Sequence, residues 1–111
     1  MEANEYQKAI MKYAPNITDK NEFLLFTLVG LSGEAGEALD LEKKVKWHSH
    51  QLDEFHMKRE LGDVAWYLAA AAEALGVKLT DIFDMNIEKL EARYPNGFDP
   101  ERSIHRKIGD V

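Results

Sequence analysis

The sequence has 111 residues, a formal net charge of −6 and no cysteine. This length fits one domain, residues 1–111, which is large enough for a hydrophobic core but gains stability from oligomerisation. The lack of cysteine excludes disulfides and thiolate metal sites, and the negative charge argues against non-specific binding to nucleic acid or an anionic membrane. We find no apolar signal region and no apolar run of about 18 residues, so we expect a soluble, cytoplasmic protein.

Helix signals recur along the whole chain. Pro15 ends a first helix, and either Thr18 or Asp19 can cap the second. Asp53 is placed to cap the third helix, and Gly76 is placed to end it. No alternating apolar stretch is flanked by turn residues, so we expect no strand. The predicted helices cover about residues 3–13, 19–44 or a few residues beyond, 53–75 and 80–93, with one short helix in the segment 98–111. The sequence therefore predicts an all-α fold with four main helices.

The first half of the second helix, residues 23–29 (FLLFTLV), is apolar on every side. A helix of this kind is buried on several sides, and in a chain this small that predicts a partner subunit. Gly30, Gly33 and Gly36 follow at intervals of three residues. Because a glycine inside a helix costs about 0.5–1 kcal/mol relative to alanine, we expect another helix or a ligand to come very close to this face.

Two pairs of acidic residues interrupt these apolar helices, Glu34 with Glu37 and Glu60 with Asp63. Residues three apart share one helix face, about 5–6 Å apart at Cβ, so each pair can bind one object. Residues 47–52 break the helical pattern, and a hairpin turning there would bring both pairs to the same height. Four clustered carboxylates repel by about 1–4 kcal/mol per pair at about 4 Å unless some protonate or a cation binds. An all-oxygen site of this kind suits Mg²⁺ or Mn²⁺.

Three segments of the sequence resemble the MazG-like nucleotide pyrophosphohydrolases, members of the all-α NTP pyrophosphatase superfamily. They are residues 31–37 (LSGEAGE), 59–68 (RELGDVAWYL) and 86–95 (NIEKLEARYP). A lone Glu-x-x-Glu is common on charged helix faces, but these segments match in order and in spacing. The resemblance implies packed helices assembled as dimers or tetramers. It also implies Mg²⁺-dependent hydrolysis of (deoxy)nucleoside triphosphates to the monophosphate and pyrophosphate, in the cleaning of the nucleotide pool.

The resemblance also implies roles for individual residues. The implied metal ligands are Glu34, Glu37, Glu60 and Asp63. The implied phosphate-binding residues are Asn86, Lys89 and Arg93. A carboxylate that the metal does not saturate can act as general base, and we assign that role to Glu37. Trp47 ends the hairpin near polar residues and is our candidate for a wall of the substrate pocket, whereas Trp66 and Tyr67 fit either the core or a base-stacking surface. His56 lies four residues before Glu60, within reach of the site.

Other functions are compatible with parts of this pattern. A phosphoribosyl-ATP pyrophosphohydrolase would share the fold and the metal chemistry and differ in substrate. A non-catalytic helical oligomerisation module would carry the same acids as a solvated face and would not hold Mg²⁺. A di-iron four-helix protein would use Glu-x-x-His motifs. No Glu in this chain is followed by His three residues later, which argues against the di-iron class.

Overall fold

The computed structural model describes residues 1–111, and helices make up most of the chain. The α-helices are α1 (Ala3–Ile10), α2 (Lys20–His48), α3 (Glu54–Leu75), α4 (Leu79–Arg93) and α5 (Pro100–Ile104), with a 3₁₀ turn at Met11–Tyr13. The predicted all-α class is confirmed, and the extended pairing is limited to one isolated bridge between Pro95 and Gly97. None of the helices combines the length and the apolar character that a membrane span requires.

Side-chain caps fix the starts of the two long helices. The carboxylates of Asp19 and Asp53 each accept a hydrogen bond from a backbone N–H three residues later, at 2.8 and 3.0 Å. Caps of this kind stabilise a helix by about 1 kcal/mol. The cap at Asp53 was predicted from the sequence, and of the two predicted candidates for the other cap, Thr18 and Asp19, the structure shows Asp19. The second helix ends at His48, within the few residues beyond Lys44 that the sequence allowed, and it stops at Ser49, whose φ is 59°.

The chain forms two compact units, Met1–Leu79 and Thr80–Val111. In the first unit α2 and α3 pack along each other, and α1 packs against α3. Residues 49–53 join α2 to α3, and helices joined by so short a loop form an antiparallel hairpin. The buried centre of this unit consists largely of alanines of α3, at Ala69, Ala70, Ala71, Ala72 and Ala74. These small side chains allow the neighbouring helices to come close.

Gln7 fixes α1 to the turn that follows α3. Its side chain is buried, and its Nε2 donates hydrogen bonds to the Val77 carbonyl (2.8 Å) and to Oε1 of Glu73 (3.1 Å). Its Oε1 accepts a hydrogen bond from the Leu79 N–H at 2.6 Å. One amide thus satisfies buried backbone groups that would otherwise lack partners, and an unpaired group of this kind costs about 1–3 kcal/mol.

The expected close approach to the glycines of α2 is found at Gly30. A Cβ built there would overlap the ring of Tyr67 on α3, whereas a Cβ at Gly33 or Gly36 would meet no other atom within 4 Å. The glycine repeat therefore has one clear packing reason, at its first position. The other two glycines leave the α2 backbone open beside the acidic residues that follow them.

Residues 23–29 are buried on one side only within this chain. Phe23 and Thr27 are buried, whereas Leu25 and Val29 are 61% and 64% exposed. The predicted burial on several sides is therefore not achieved by intrachain packing. The opposite side of α2 presents an apolar face that the other helices of the unit Met1–Leu79 do not cover.

Candidate metal centre

Three of the predicted metal ligands meet between α2 and α3. Glu34 of α2 and Glu60 and Asp63 of α3 offer carboxylate oxygens that all lie within 4.8 Å of one another. Glu60 and Asp63 are three residues apart and therefore share a face of α3, and the hairpin brings Glu34 to that face. Glu37 is exposed on α2 and does not belong to this group of three. The roles of all four as ligands remain predictions.

The environment of Glu34 shows how strongly these carboxylates interact. Its pKa lies above the ordinary value of 4.5, first because the carboxyl is partly removed from water, then because it hydrogen-bonds to Glu60 and faces the charges of Asp63, Glu60 and Glu37. Desolvation and like charges both favour the neutral acid. Burial and the charge of Asp63 also raise the pKa of the nearby Tyr6 phenol. The cluster therefore concentrates negative charge that a cation would neutralise.

The donor set fits a small divalent cation. Carboxylate oxygens are ligands that Mg²⁺ and Mn²⁺ prefer. Octahedral Mg²⁺ with bonds of about 2.1 Å places opposite ligand oxygens about 4.2 Å apart. Oxygens that lie within 4.8 Å of one another can reach that spacing through small side-chain rotations. Three carboxylates also leave positions for the water and the substrate phosphate that Mg²⁺ commonly retains.

His56 contacts the cluster from the solvent side. Its Nε2 lies 3.0 Å from Oε1 of Glu60, one helical turn further along α3. The His56 side chain is 49% exposed and the Glu60 side chain only 14%. A hydrogen bond of this kind orients a ligating carboxylate. The sequence position of His56, four residues before Glu60, is what brings the two side chains together.

A groove of about 280 Å³ opens beside the carboxylates, with Glu34 and Asp63 in its wall. Its other lining residues are Tyr13, Pro15, Phe26, Trp66 and Tyr67. The rings of Trp66 and Tyr67 meet edge to face with centroids 5.0 Å apart, and Phe26 packs edge-on against both rings. The groove thus joins an acidic wall to an aromatic one, which suits a ligand with a flat ring and a metal-binding end.

Sequence reasoning identified Trp66 and Tyr67 as ambiguous between core and site, and it missed Tyr13, Pro15 and Phe26. Tyr13 and Pro15 signalled the end of the first helix, and Phe26 belonged to an apolar run. The only available signal was the aromatic content of these segments. Their convergence depends on how α1 and α2 pack against α3.

Trp47 lies in a different groove from the carboxylates. It is 68% exposed, and it lines a surface groove of about 490 Å³ on α2 with Gly36, Leu39 and Lys43 among its neighbours. The ammonium of Lys46 lies 5.2 Å from the centre of its ring. None of Glu34, Glu60 and Asp63 lines this groove, and the assignment of Trp47 to the substrate pocket remains a prediction.

The predicted phosphate-binding residues belong to the unit Thr80–Val111. Lys89 and Arg93 line a cavity of about 340 Å³ in that unit, whereas Asn86 is exposed on α4 and does not line it. The guanidinium of Arg93 donates to both carboxylate oxygens of Asp110, from Nε at 2.8 Å and from Nη2 at 2.7 Å. The pKa of Asp110 is held below its ordinary range, chiefly by this contact.

The all-α fold and the carboxylate cluster at the α2–α3 hairpin place this chain among all-α proteins with a candidate site for a metal ion. Residues 24–98 match the family model of the MazG nucleotide pyrophosphohydrolase domain. The chain therefore belongs to the MazG nucleotide pyrophosphohydrolase family, and the predicted resemblance is confirmed. The chain is also 36% identical over 83 residues to Gene 37 protein of Mycobacterium phage L5, covering 71% of this chain and 73% of the phage protein. No solved structure matches the chain.

Proposed function

We propose that this protein hydrolyses (deoxy)nucleoside triphosphates to the monophosphate and pyrophosphate in a reaction that depends on Mg²⁺. The observation that carries the proposal is the meeting of Glu34, Glu60 and Asp63 within 4.8 Å, in the wall of an aromatic groove. One half of this site suits a metal-bound phosphate, and the other half suits a nucleobase. Membership of the MazG family supports the same class of reaction.

Glu34, Glu60 and Asp63, with Glu37 as the proposed fourth ligand, would hold Mg²⁺ or Mn²⁺. When bound, the ion would neutralise part of the phosphate charge and lower the pKa of a water molecule that it binds. Glu37 lies outside the group of three and is exposed, so we assign it the role of general base that takes the proton from the attacking water. The water oxygen bonds to the α-phosphorus, the α–β bridging bond breaks, and pyrophosphate leaves.

The aromatic groove would bind and orient the nucleobase. Stacking on an aromatic ring contributes about 1–3 kcal/mol per base and tolerates every base. Trp66 and Tyr67 lie three and four residues after Asp63, about one turn further along α3, so a base held by either ring lies close to the carboxylates. The edge-to-face packing of these rings with Phe26 fixes the wall of the groove in place. Substrate orientation of this kind contributes to catalysis by holding the reacting groups in position.

The residues proposed to contact the rest of the substrate are Asn86, Lys89, Arg93 and Trp47. Lys89 and Arg93 carry the positive charge that a developing pyrophosphate needs, and Asn86 offers an amide hydrogen bond. Trp47 is proposed as a further wall of the substrate pocket. Its exposed ring and the cation beside it are suited to contact with a nucleotide.

We also propose that the chain acts as a homodimer or homotetramer. The support is the apolar face of α2, whose large apolar side chains are between 49% and 70% exposed: Leu25, Leu28, Val29 and Leu39. Contiguous apolar patches on a small chain mark interaction sites. Light scattering at micromolar concentration should give a mass of two or four chains, and a monomer would contradict this part of the proposal.

A product assay tests the reaction directly. The protein is incubated with each common ribo- and deoxyribonucleoside triphosphate and Mg²⁺, with EDTA as the metal-free control, and the products are separated. Monophosphate and pyrophosphate, both lost with EDTA, are the expected result. Diphosphate with orthophosphate would refute attack at the α-phosphorus. Phosphoribosyl-ATP is added as a further substrate, and its turnover alone would identify a phosphoribosyl-ATP pyrophosphohydrolase. If no substrate is turned over and Mg²⁺ does not raise the melting temperature, the result would favour a non-catalytic oligomerisation module.

A further inference from the structure

The carboxylate of Asp110 holds the side chain of Arg93 in one orientation within the unit Thr80–Val111. The Arg93 guanidinium donates to the two carboxylate oxygens, from Nε at 2.8 Å and from Nη2 at 2.7 Å. The Arg93 and Asp110 side chains are only 9% and 17% exposed, so water competes little for these hydrogen bonds. Two parallel hydrogen bonds fix a planar guanidinium in direction as well as in distance.

This pair uses one edge of the guanidinium and leaves the opposite edge available. A guanidinium has five N–H groups, and Asp110 accepts from the one on Nε and from one on Nη2. A hydrogen bond with the Tyr94 side chain engages one more. Two N–H groups of Arg93 therefore remain for a further acceptor while the contact with Asp110 is intact.

A tight turn over residues 107–110 sets the position of Asp110. The Asp110 N–H donates to the carbonyl of Lys107 at 3.1 Å, and Gly109, the third residue of the turn, has φ of 89°. A type II turn requires a positive φ at this position, which glycine adopts without steric cost. Asp110 lies outside residues 24–98, which match the family, so membership of the family assigns it no role.

Asp110 is an anion among the cations of this unit. All of the unit's lysines and arginines line the basic cavity of about 340 Å³ that also includes Asp110, and they are Lys89, Arg93, Arg102, Arg106 and Lys107. The hydrogen bonds from Arg93, and then the nearby positive charges, lower the pKa of Asp110 although desolvation opposes them. Loss of this carboxylate would make the cavity more positive, and by charge alone that would strengthen the binding of an anionic substrate.

We propose that Asp110 is a positioning residue, which orients Arg93 for its contact with the substrate and remains bound to Arg93 while the substrate binds. This inference rests on the proposed function for the role of Arg93 itself. An arginine that is already fixed loses less side-chain freedom when a ligand binds. Asp110 therefore strengthens substrate binding although its charge has the same sign as that of the substrate, and the sign of its effect separates orientation from charge.

Steady-state kinetics with Mg²⁺ and a nucleoside triphosphate measure this effect. Asp110→Asn keeps the shape of the side chain and removes its charge, and it should raise KM about tenfold while kcat changes by less than about twofold. Asp110→Glu, which restores a carboxylate, should recover most of this loss. Asp84→Asn is the matched control, because it removes the same charge from an exposed position of α4, and it should change KM by less than about twofold.

The way the loss divides between KM and kcat distinguishes positioning from a purely structural role. A variant that only lowered the fraction of folded protein would lower kcat and leave KM unchanged. That result for Asp110→Asn would overturn the proposal. A lower KM than that of the unmodified chain would overturn it as well, because it would show that charge outweighs orientation.

A double-mutant cycle tests whether Asp110 acts through Arg93. Lysine keeps the positive charge but lacks the planar fork that the carboxylate fixes. In the Arg93→Lys background, Asp110→Asn should therefore change KM by less than about twofold. A tenfold effect that persists in this background would show that Asp110 acts on another group, and it would refute the proposal.

Nuclear magnetic resonance of the unmodified chain gives a test that does not depend on the folding of Asp110→Asn. The Arg93 Nε–H signal, identified by its loss in Arg93→Lys, should keep its chemical shift and slow exchange with water when a nucleoside triphosphate is added to saturation in EDTA. A large shift or fast exchange on binding would mean that the ligand displaces Asp110, contrary to the proposal.

Calorimetric titration with the same nucleoside triphosphate in EDTA separates this inference from the proposed function, because it needs no turnover. Affinity about tenfold weaker in Asp110→Asn, in a protein that hydrolyses no triphosphate, would refute only the proposed function. Hydrolysis by the unmodified chain with equal affinity in the two chains would refute only the role of Asp110. Absence of triphosphate binding in EDTA would also refute that role.

Discussion

Replacement of Glu34 by glutamine should stabilise the protein and at the same time remove its response to Mg²⁺. Glu34 has a raised pKa because of partial burial, its hydrogen bond to Glu60 and the neighbouring acidic charges. Its native carboxyl therefore holds a proton more tightly than the unfolded chain does. Protonation of Glu34 therefore stabilises the folded state at low pH, and this stabilisation is lost as the pH rises through the raised pKa. At neutral pH without metal, the ionised Glu34 destabilises the fold.

The magnitude follows from the distances in the cluster. Two charges at 4.8 Å repel by about 1 kcal/mol in water and about 3 kcal/mol at an effective dielectric constant of about 20. Glu34 faces both Glu60 and Asp63, and we use the aqueous value because Asp63 is exposed. Glu34→Gln should therefore raise the free energy of unfolding by about 1–2 kcal/mol. For a chain of 111 residues this corresponds to a rise in Tm of about 4–8 °C.

Thermal melts at pH 7 in EDTA and in Mg²⁺ measure both effects. Mg²⁺ at ten times its Kd should stabilise the unmodified protein by about 1.4 kcal/mol and the variant by much less. The stability advantage of the variant should shrink as the pH falls towards 4.5, where Glu34 of the unmodified protein also becomes neutral. Glu42→Gln, the same change at an exposed position of α2, should shift stability by less than about 0.5 kcal/mol. A lower Tm for Glu34→Gln in EDTA would refute the repulsion, and an undiminished response to Mg²⁺ would refute Glu34 as a ligand.

The remaining predictions concern packing and catalysis. Gly30→Ala should destabilise the fold by about 1–3 kcal/mol because its Cβ would overlap Tyr67, whereas Gly33→Ala, which meets no neighbour, should stabilise α2 by about 0.5–1 kcal/mol. Urea denaturation measures both, and effects of the same sign would contradict the assigned packing. Gln7→Leu should cost about 2–4 kcal/mol in the same assay, because two buried backbone groups lose their partner; a loss below 1 kcal/mol would contradict this role. Glu37→Gln should abolish turnover with an unchanged far-ultraviolet circular dichroism spectrum, and full activity would remove Glu37 from the mechanism.

The residues of the carboxylate cluster were accessible from the sequence because helix geometry is local. A spacing of three places Glu60 and Asp63 on one face wherever α3 lies, and the cap at Asp53 fixes where that helix begins. The short break between α2 and α3 then requires a hairpin. The position of Glu37 relative to the other three carboxylates depends on the rotation of α2 about its axis, and the spacing alone does not set that rotation.

The aromatic groove and the basic cavity lay beyond the sequence for a different reason. Tyr13 and Phe26 join Trp66 in the groove because the 3₁₀ turn after α1, α2 and α3 converge there, and no pattern within one helix encodes that meeting. The pairing of Arg93 with Asp110 spans 17 residues and depends on how the segment after α5 folds back within its own unit. Charge in that segment looks mixed along the chain and becomes segregated only in three dimensions.

The sequence by itself determined the all-α class, the ends of the main helices, the family and the residues of the acidic pairs. These properties depend on interactions within about one helical turn, or on residue identities at fixed spacing. The tertiary structure decided which carboxylates meet, which rings line the groove beside them and which cations surround Asp110. These properties depend on the packing of distant side chains, and such packing is set by the whole chain rather than by any one segment.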